Sequence, residues 1–150
     1  MDKLNPAEYE VYDAKDKVVG RLASVVAKRL MEGKKIAIVN AEQSIISGDR
    51  KVLIAKYRTR LRLQEKENPE HSPYWPRRPD LLVKRIVRGM LPYHRKPTGK
   101  TSYARLRVFI GVPEVLKGSK TIEIKAKNPK ELYGGYTRVS ELSKLLGYTR

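Results

Sequence analysis

The chain has 150 residues, 40% of them apolar and 33% charged, with a formal net charge of +17 and a pI near 10.1. That length and balance fit one globular domain with a core and exclude wholesale disorder. The absence of cysteine excludes disulfides, thiolate metal sites and cysteine nucleophiles, and so large a positive charge calls for a polyanionic partner.

Glu8 to Asp13 alternates and is aromatic, the pattern of a short strand. From Gly20 to Met31, Val19, Leu22, Val26 and Leu30, with Ala23 and Val25 beside them, repeat at about 3.6 residues and predict an amphipathic helix. Asp16 is placed as a cap or turn residue before it, and Gly33 as the left-handed residue that ends it. Lys35 to Ala41 is almost continuously apolar, which predicts a strand buried on both faces. Strand, helix and buried strand make a βαβ unit.

Ser44 to Asp49 reads as a turn with several possible caps, followed by a helix from about Arg50 to Leu63. Its stripe is Leu53, Tyr57 and Leu61, and its other faces carry Lys51, Lys56, Arg58, Arg60 and Arg62. Four prolines between Gln64 and Asp80 forbid regular structure there and predict an extended loop pinned by Trp75 and Tyr74. A third helix is expected over Asp80 to Leu91. Leu82, Val83, Ile86, Val87 and Met90 gather on one side, with Lys84, Arg85 and Arg88 opposite. Pro92 ends it. Tyr93 to Ser102 reads as a basic loop, Leu106 to Val112 and Thr121 to Ala126 as strands, and Tyr133 to Tyr136 as a tight turn. Ser140 is expected to cap a short last helix closed by Gly147. One α/β domain is expected over 1–150, with a Pro-rich loop at about 64–80 and a basic extension from about 117.

Charge is concentrated between Arg77 and Arg107, where ten Lys or Arg residues face one acid, Asp80. Arginine offers phosphate a bidentate fork and lysine a mobile point charge. Tyr93 and His94, set among them, can stack on unpaired bases. Gly89 inside a helix costs about 1 kcal/mol relative to alanine. Either a neighbouring element or a phosphate backbone therefore approaches closely there. The candidate RNA contacts are Arg50, Lys51, Arg58 and Arg62 on the second helix, and Arg77 and Arg78 after the prolines. To these are added Lys84, Arg85, Arg88 and Gly89 on the third helix, then Tyr93, His94, Arg95, Lys96, Lys100 and Arg105. No helix-turn-helix, zinc-finger or basic-zipper pattern occurs, and cations spread over two helices, a loop and the tail suit a folded RNA better than a DNA groove.

Two other readings have less to stand on. Ser47-Gly48-Asp49 sits between strand and helix, where α/β crevices bind phosphates, but neither GxGxxG nor GxxxxGK[ST] is present. The scattered acids form no catalytic pair, so no enzyme, cofactor or metal site is expected. A membrane-surface role conflicts with helices whose apolar faces are needed for a core. No run of about 18 apolar residues occurs, and the N-terminus lacks an apolar segment of the signal-peptide kind.

Val19-Gly20-Arg21-Leu22-Ala23-Ser24, Asn40-Ala41-Glu42, Ile46-Ser47-Gly48 and above all Val87-Arg88-Gly89-Met90-Leu91-Pro92 form a specific order. With Leu106 to Pro113 following, the sequence resembles the universal large-subunit ribosomal protein thirteen family from about Tyr12 to Lys117. The resemblance implies a three-layer α/β/α fold with a four-stranded, mainly parallel sheet. It also implies a structural, non-catalytic role in the cytoplasm, with large-subunit ribosomal RNA and neighbouring ribosomal proteins as partners. The RNA-facing part would be the matching RGMLP helix and the loop after it. Gly33 runs straight into Lys34-Lys35-Ile36 where bacterial members carry a longer segment, and the Ser72-Pro73-Tyr74 region resembles the archaeal and eukaryotic branch.

Overall fold

The expected βαβ unit forms the centre of the computed structural model, which describes residues 6–124, 132 and 134–149. It consists of β1 (Tyr9–Asp13), α1 (Val19–Met31) and β2 (Lys35–Val39). The two strands are parallel, in register from Tyr9 beside Lys35 to Asp13 beside Val39. β4 (Leu106–Val108) adds in parallel to β2, and β5 (Thr121–Ile122) adds in parallel to the far side of β1. The sheet order is therefore β4-β2-β1-β5. Of the expected last strand, Lys125 and Ala126 lie outside the described residues.

β2 shows why the apolar run was needed. Ile36 and Ile38 enter the large cluster with Tyr12, Leu106 and the buried stripe of α1, while Ala37 and Val39 face the other way with Val11. Full burial of each such aliphatic side chain contributes about 1.5–3 kcal/mol. α1 buries Val19, Leu22, Ala23, Val26, Ala27 and Leu30; Val25 lies outside the stripe and is half-exposed. Gly33 ends the helix with φ of 92°, a conformation that costs other residues energy. Its amide donates to the Leu30 carbonyl at 3.1 Å and that of Lys34 to Arg29 at 3.2 Å, so two helix-end carbonyls are satisfied.

α3 (Pro79–Met90) lies against α1 and β4 through Leu82, Val83 and Val87. It starts with proline, pre-set for the first turn, and stops at Leu91, which is extended before Pro92. Among the described residues, five helices and a four-stranded parallel sheet give the expected three-layer α/β/α arrangement, with unequal layers. The second face, among the described residues, is covered by Leu116 of a short 3-10 turn (Glu114–Leu116), with Tyr9 and Phe109 beside it.

Several expectations need correction. Ile45–Ser47 is not a turn but a strand, β3, paired antiparallel with β6 (Tyr136–Arg138). Tyr136 therefore extends a strand instead of closing a tight turn; Tyr133 lies outside the described residues. Each strand has three residues and a partner distant in sequence, so neither carries a local signal. Pro97–Ala104 is helical (α4), not loop, because Pro97 occupies its first turn. Ser140 lies inside α5 (Val139–Leu145): the cap position falls on Arg138, whose backbone is still extended as the end of β6. Gly147 does close α5, its amide donating to the Lys144 carbonyl at 3.0 Å. Met90 points outward and is 45% exposed, and Tyr74, expected as an anchor, is 81% exposed.

Two tyrosines tie the fold to alkaline pH. Tyr12 and the Tyr57 ring of α2 (Arg50–Arg62) are buried. Burial raises both phenols above their ordinary 10.0, and the hydrogen bond that Tyr12 donates to Glu10 raises it further. The folded state thus holds these protons more tightly than the unfolded one. Their contribution is complete below about pH 10 and is lost as pH rises through the folded values. Tyr57→Phe is expected to flatten the decline of stability above about pH 10. Urea unfolding across that range tests it; an unchanged slope would remove Tyr57 as a cause.

Candidate nucleic-acid interface

α3 presents Lys84, Arg85 and Arg88 away from its buried stripe, and each rests on an aromatic ring. The Arg85 guanidinium lies 3.8 Å from the centre of the Trp75 ring, and Arg60 of α2 reaches the same ring at 4.6 Å. Such contacts contribute about 0.5–2 kcal/mol each. Arg85 also donates to the Tyr74 carbonyl. Trp75 therefore holds the Pro-rich segment against both helices, and its neighbour Tyr74 contributes a backbone oxygen, not a buried ring.

Lys84 lies 5.0 Å from the Tyr103 ring of α4, and Arg88 lies 5.3 Å from the Tyr93 ring. Tyr93 in turn meets Tyr103 edge-on at 5.3 Å and His94 at 5.1 Å. Burial, then Arg107, pushes the Lys84 amine below its ordinary 10.5; burial, then Arg88 and Arg60, lowers Arg85. A guanidinium stays charged regardless. Each of the three cations thus lies against a ring, and Asp80 partly offsets the shift at Lys84.

The turn after α3 doubles back on α4. The amides of Arg95 and Lys96 donate to the Pro92 carbonyl at 3.3 and 3.1 Å, and Gly99 is buried directly beneath that peptide. A side-chain carbon at Gly99 would lie 2.4 Å from the Pro92 oxygen, so only glycine lets α4 come this close. Arg95, Lys96 and Lys100 are left exposed at that end. The segment expected as a basic loop is therefore a turn and a helix, with its charges in fixed places.

The remaining expected contacts divide. Lys51, Arg58 and Arg62 are exposed on α2. Arg77 is exposed beside Gly147, and its carbonyl accepts from Ser143 of α5. Arg50 is already ion-paired with Glu141 at 2.7 Å. Arg78 holds both oxygens of buried Asp80, at 3.2 and 2.9 Å. Arg105, half-buried after α4, lies against the turn at Gly33. These three have less to offer an external phosphate. Arg60, Trp75 and Tyr103 were not among the expected contacts although they build the site. The spacing of Tyr57 and Arg60, three apart on one helix, was the available signal.

At the rival crevice the Gly48 amide donates to Gly135 at 2.8 Å, and the Asp49 carboxylate accepts from the Lys51 amide at 2.9 Å. The start of α2 is thus an ordinary capped helix terminus. Among the described residues no helix is long and apolar enough to cross a membrane.

The family model for ribosomal protein L13 matches residues 7–115, which run from before β1 into the 3-10 turn after β4 and so include all of α3 and the cations around it. The chain belongs to the ribosomal protein L13 family. Its relatives include proteins named large ribosomal subunit protein uL13 from archaea. The one from Methanosphaera stadtmanae is 43% identical over 141 residues, covering 91% of this chain and 96% of the relative. The one from Archaeoglobus fulgidus is 38% identical, covering 94% and 89%, and that from Methanopyrus kandleri is 37% identical, covering 97% and 91%. The sequence resemblance and its archaeal-type branch are borne out by these relatives.

Proposed function

We propose that this L13-family protein is a structural, non-catalytic constituent of the cytoplasmic large ribosomal subunit, and that it binds large-subunit ribosomal RNA. The contact surface is α3, the turn after it and the start of α4, with α2 beside them. The observation that carries this reading is the set of ring-supported cations Lys84, Arg85 and Arg88, continued by exposed Arg95, Lys96 and Lys100. Cations held in place by rings neutralise phosphates with little loss of side-chain freedom on binding. Arg77, Lys51, Arg58 and Arg62 extend the surface; Arg50, Arg78 and Arg105 take a secondary part. Neighbouring large-subunit proteins are the other expected partners.

The test is the salt dependence of binding to transcribed large-subunit ribosomal RNA. Replacing Arg95, Lys96 and Lys100 together by alanine is expected to reduce the log–log slope by about 2–3 units, at 0.7–0.9 per phosphate contact. A slope equal to that of the unaltered protein would remove this surface from the RNA contact. In cell extracts the chain is expected to sediment with the large subunit through a high-salt wash. A chain that stays with free proteins would contradict the ribosomal assignment.

A further inference from the structure

Gly89 lies inside α3, where glycine costs stability, yet nothing among the described residues requires it. A side-chain carbon built there meets no atom of the described residues within 4 Å. The residue is exposed and has no positive φ. Neither close packing nor backbone conformation accounts for it.

Gly89 is the meeting point of two clefts. One, of about 280 Å³, is walled by Tyr57, Arg60, Trp75, Arg85 and Arg88. The other, of about 450 Å³, is walled by Met90, Pro92, Tyr93, His94 and Arg95. Neither wall contains an acid. Both volumes are near the small end of the range that holds single small molecules, about 300–1,000 Å³. Rings beside cations are the usual setting for unstacked bases with their phosphates.

We propose that Gly89 is a saddle over which a single-stranded turn of RNA crosses α3, its backbone lying on the bare helix and the nucleotides on either side entering the two clefts. This rests on the RNA-binding reading above and adds the form of RNA, an unpaired segment, and the point of crossing. Arg60 and Arg85 face one nucleotide, Arg88 sits at the saddle, and Arg95 faces the other.

Gly89→Ala and Gly89→Leu separate this from a purely structural role. Alanine fills only open space and favours helix, so the melting temperature is expected to rise by about 2–4 °C. Binding to a single-stranded oligouridine is expected to weaken about tenfold, the loss of one seated base. Leucine is expected to weaken it further, while binding to an RNA duplex of equal length changes little. Unchanged oligouridine affinity in both variants would overturn the proposal, as would equal weakening for the duplex. If instead the Arg95, Lys96 and Lys100 replacements leave the salt slope unchanged, the RNA-binding reading itself falls and the saddle with it.

Discussion

Gly99→Ala is expected to lower stability by about 3 kcal/mol, the upper range for forcing an extra carbon into a packed site. The three atoms it would meet, the Pro92 oxygen and carbon and the Tyr93 nitrogen at 2.4, 2.5 and 2.8 Å, are all backbone. No rotamer change relieves the clash, so α4 or the Pro92 peptide must move. For a chain of this size the melting temperature should fall by about 6–12 °C. The displacement also shifts Arg95 and Lys96, so RNA affinity should fall with stability. Thermal unfolding followed by circular dichroism checks it. A melting temperature within about 2 °C of the unaltered protein would mean that α4 does not approach Pro92 as described. Gly89, ten residues earlier, is expected to respond to alanine with the opposite sign.

Trp75→Ala should release the Pro-rich segment. It removes the ring that Arg60 and Arg85 share at 4.6 and 3.8 Å, and with it the link between this segment and two helices. For a partly buried tryptophan a loss of about 2 kcal/mol is expected, below the 3–5 kcal/mol of a full core deletion. Trp75→Phe keeps a ring face and should recover about half of that. Proteolysis should respond more sharply than global stability, because cleavage follows local opening. Residues 64–78 should become the first site of cutting. If the cleavage rate there stays the same, the buried Pro76 and the Ser72–Glu65 hydrogen bonds hold the segment without the ring.

The parts of this fold that were legible in the sequence are those whose neighbours are local or whose pattern is strongly periodic. The α1 stripe, the two-faced burial of β2, Gly33 and Pro92 each state their structure within a few residues. β3 and β6 do not, because three-residue strands acquire meaning only from a distant partner. α4 reads PTGKTSYA and has no apolar stripe; Pro97 was its only sign. In the site, the concentration of positive charge was plain, and so was the need to anchor Trp75. Which cations remain available was not. Arg50 is taken by Glu141 from across the molecule, and Arg78 by Asp80 two positions along in a geometry set by the helix start. Glycine at position 89 is costly for a helix on sequence grounds alone, but only the empty space around it separates internal packing from an external ligand.

The sheet order β4-β2-β1-β5, with β3 joined to β6, constrains how the molecule can be made. A chain emerging from its N-terminus can assemble β1, α1 and β2 early, but β1 waits for Thr121 to cover its free edge and Ile45 waits for Arg138. Val139, Leu142 and Leu146, which fill the main cluster, come later still. Almost the whole chain must therefore be synthesised before the interior can shut, and unpaired strand edges stay open for most of that time. Nascent chains of this protein should consequently depend on chaperones or on early capture by a partner, since the basic stretch from Arg77 to Arg107 is made before the core is complete.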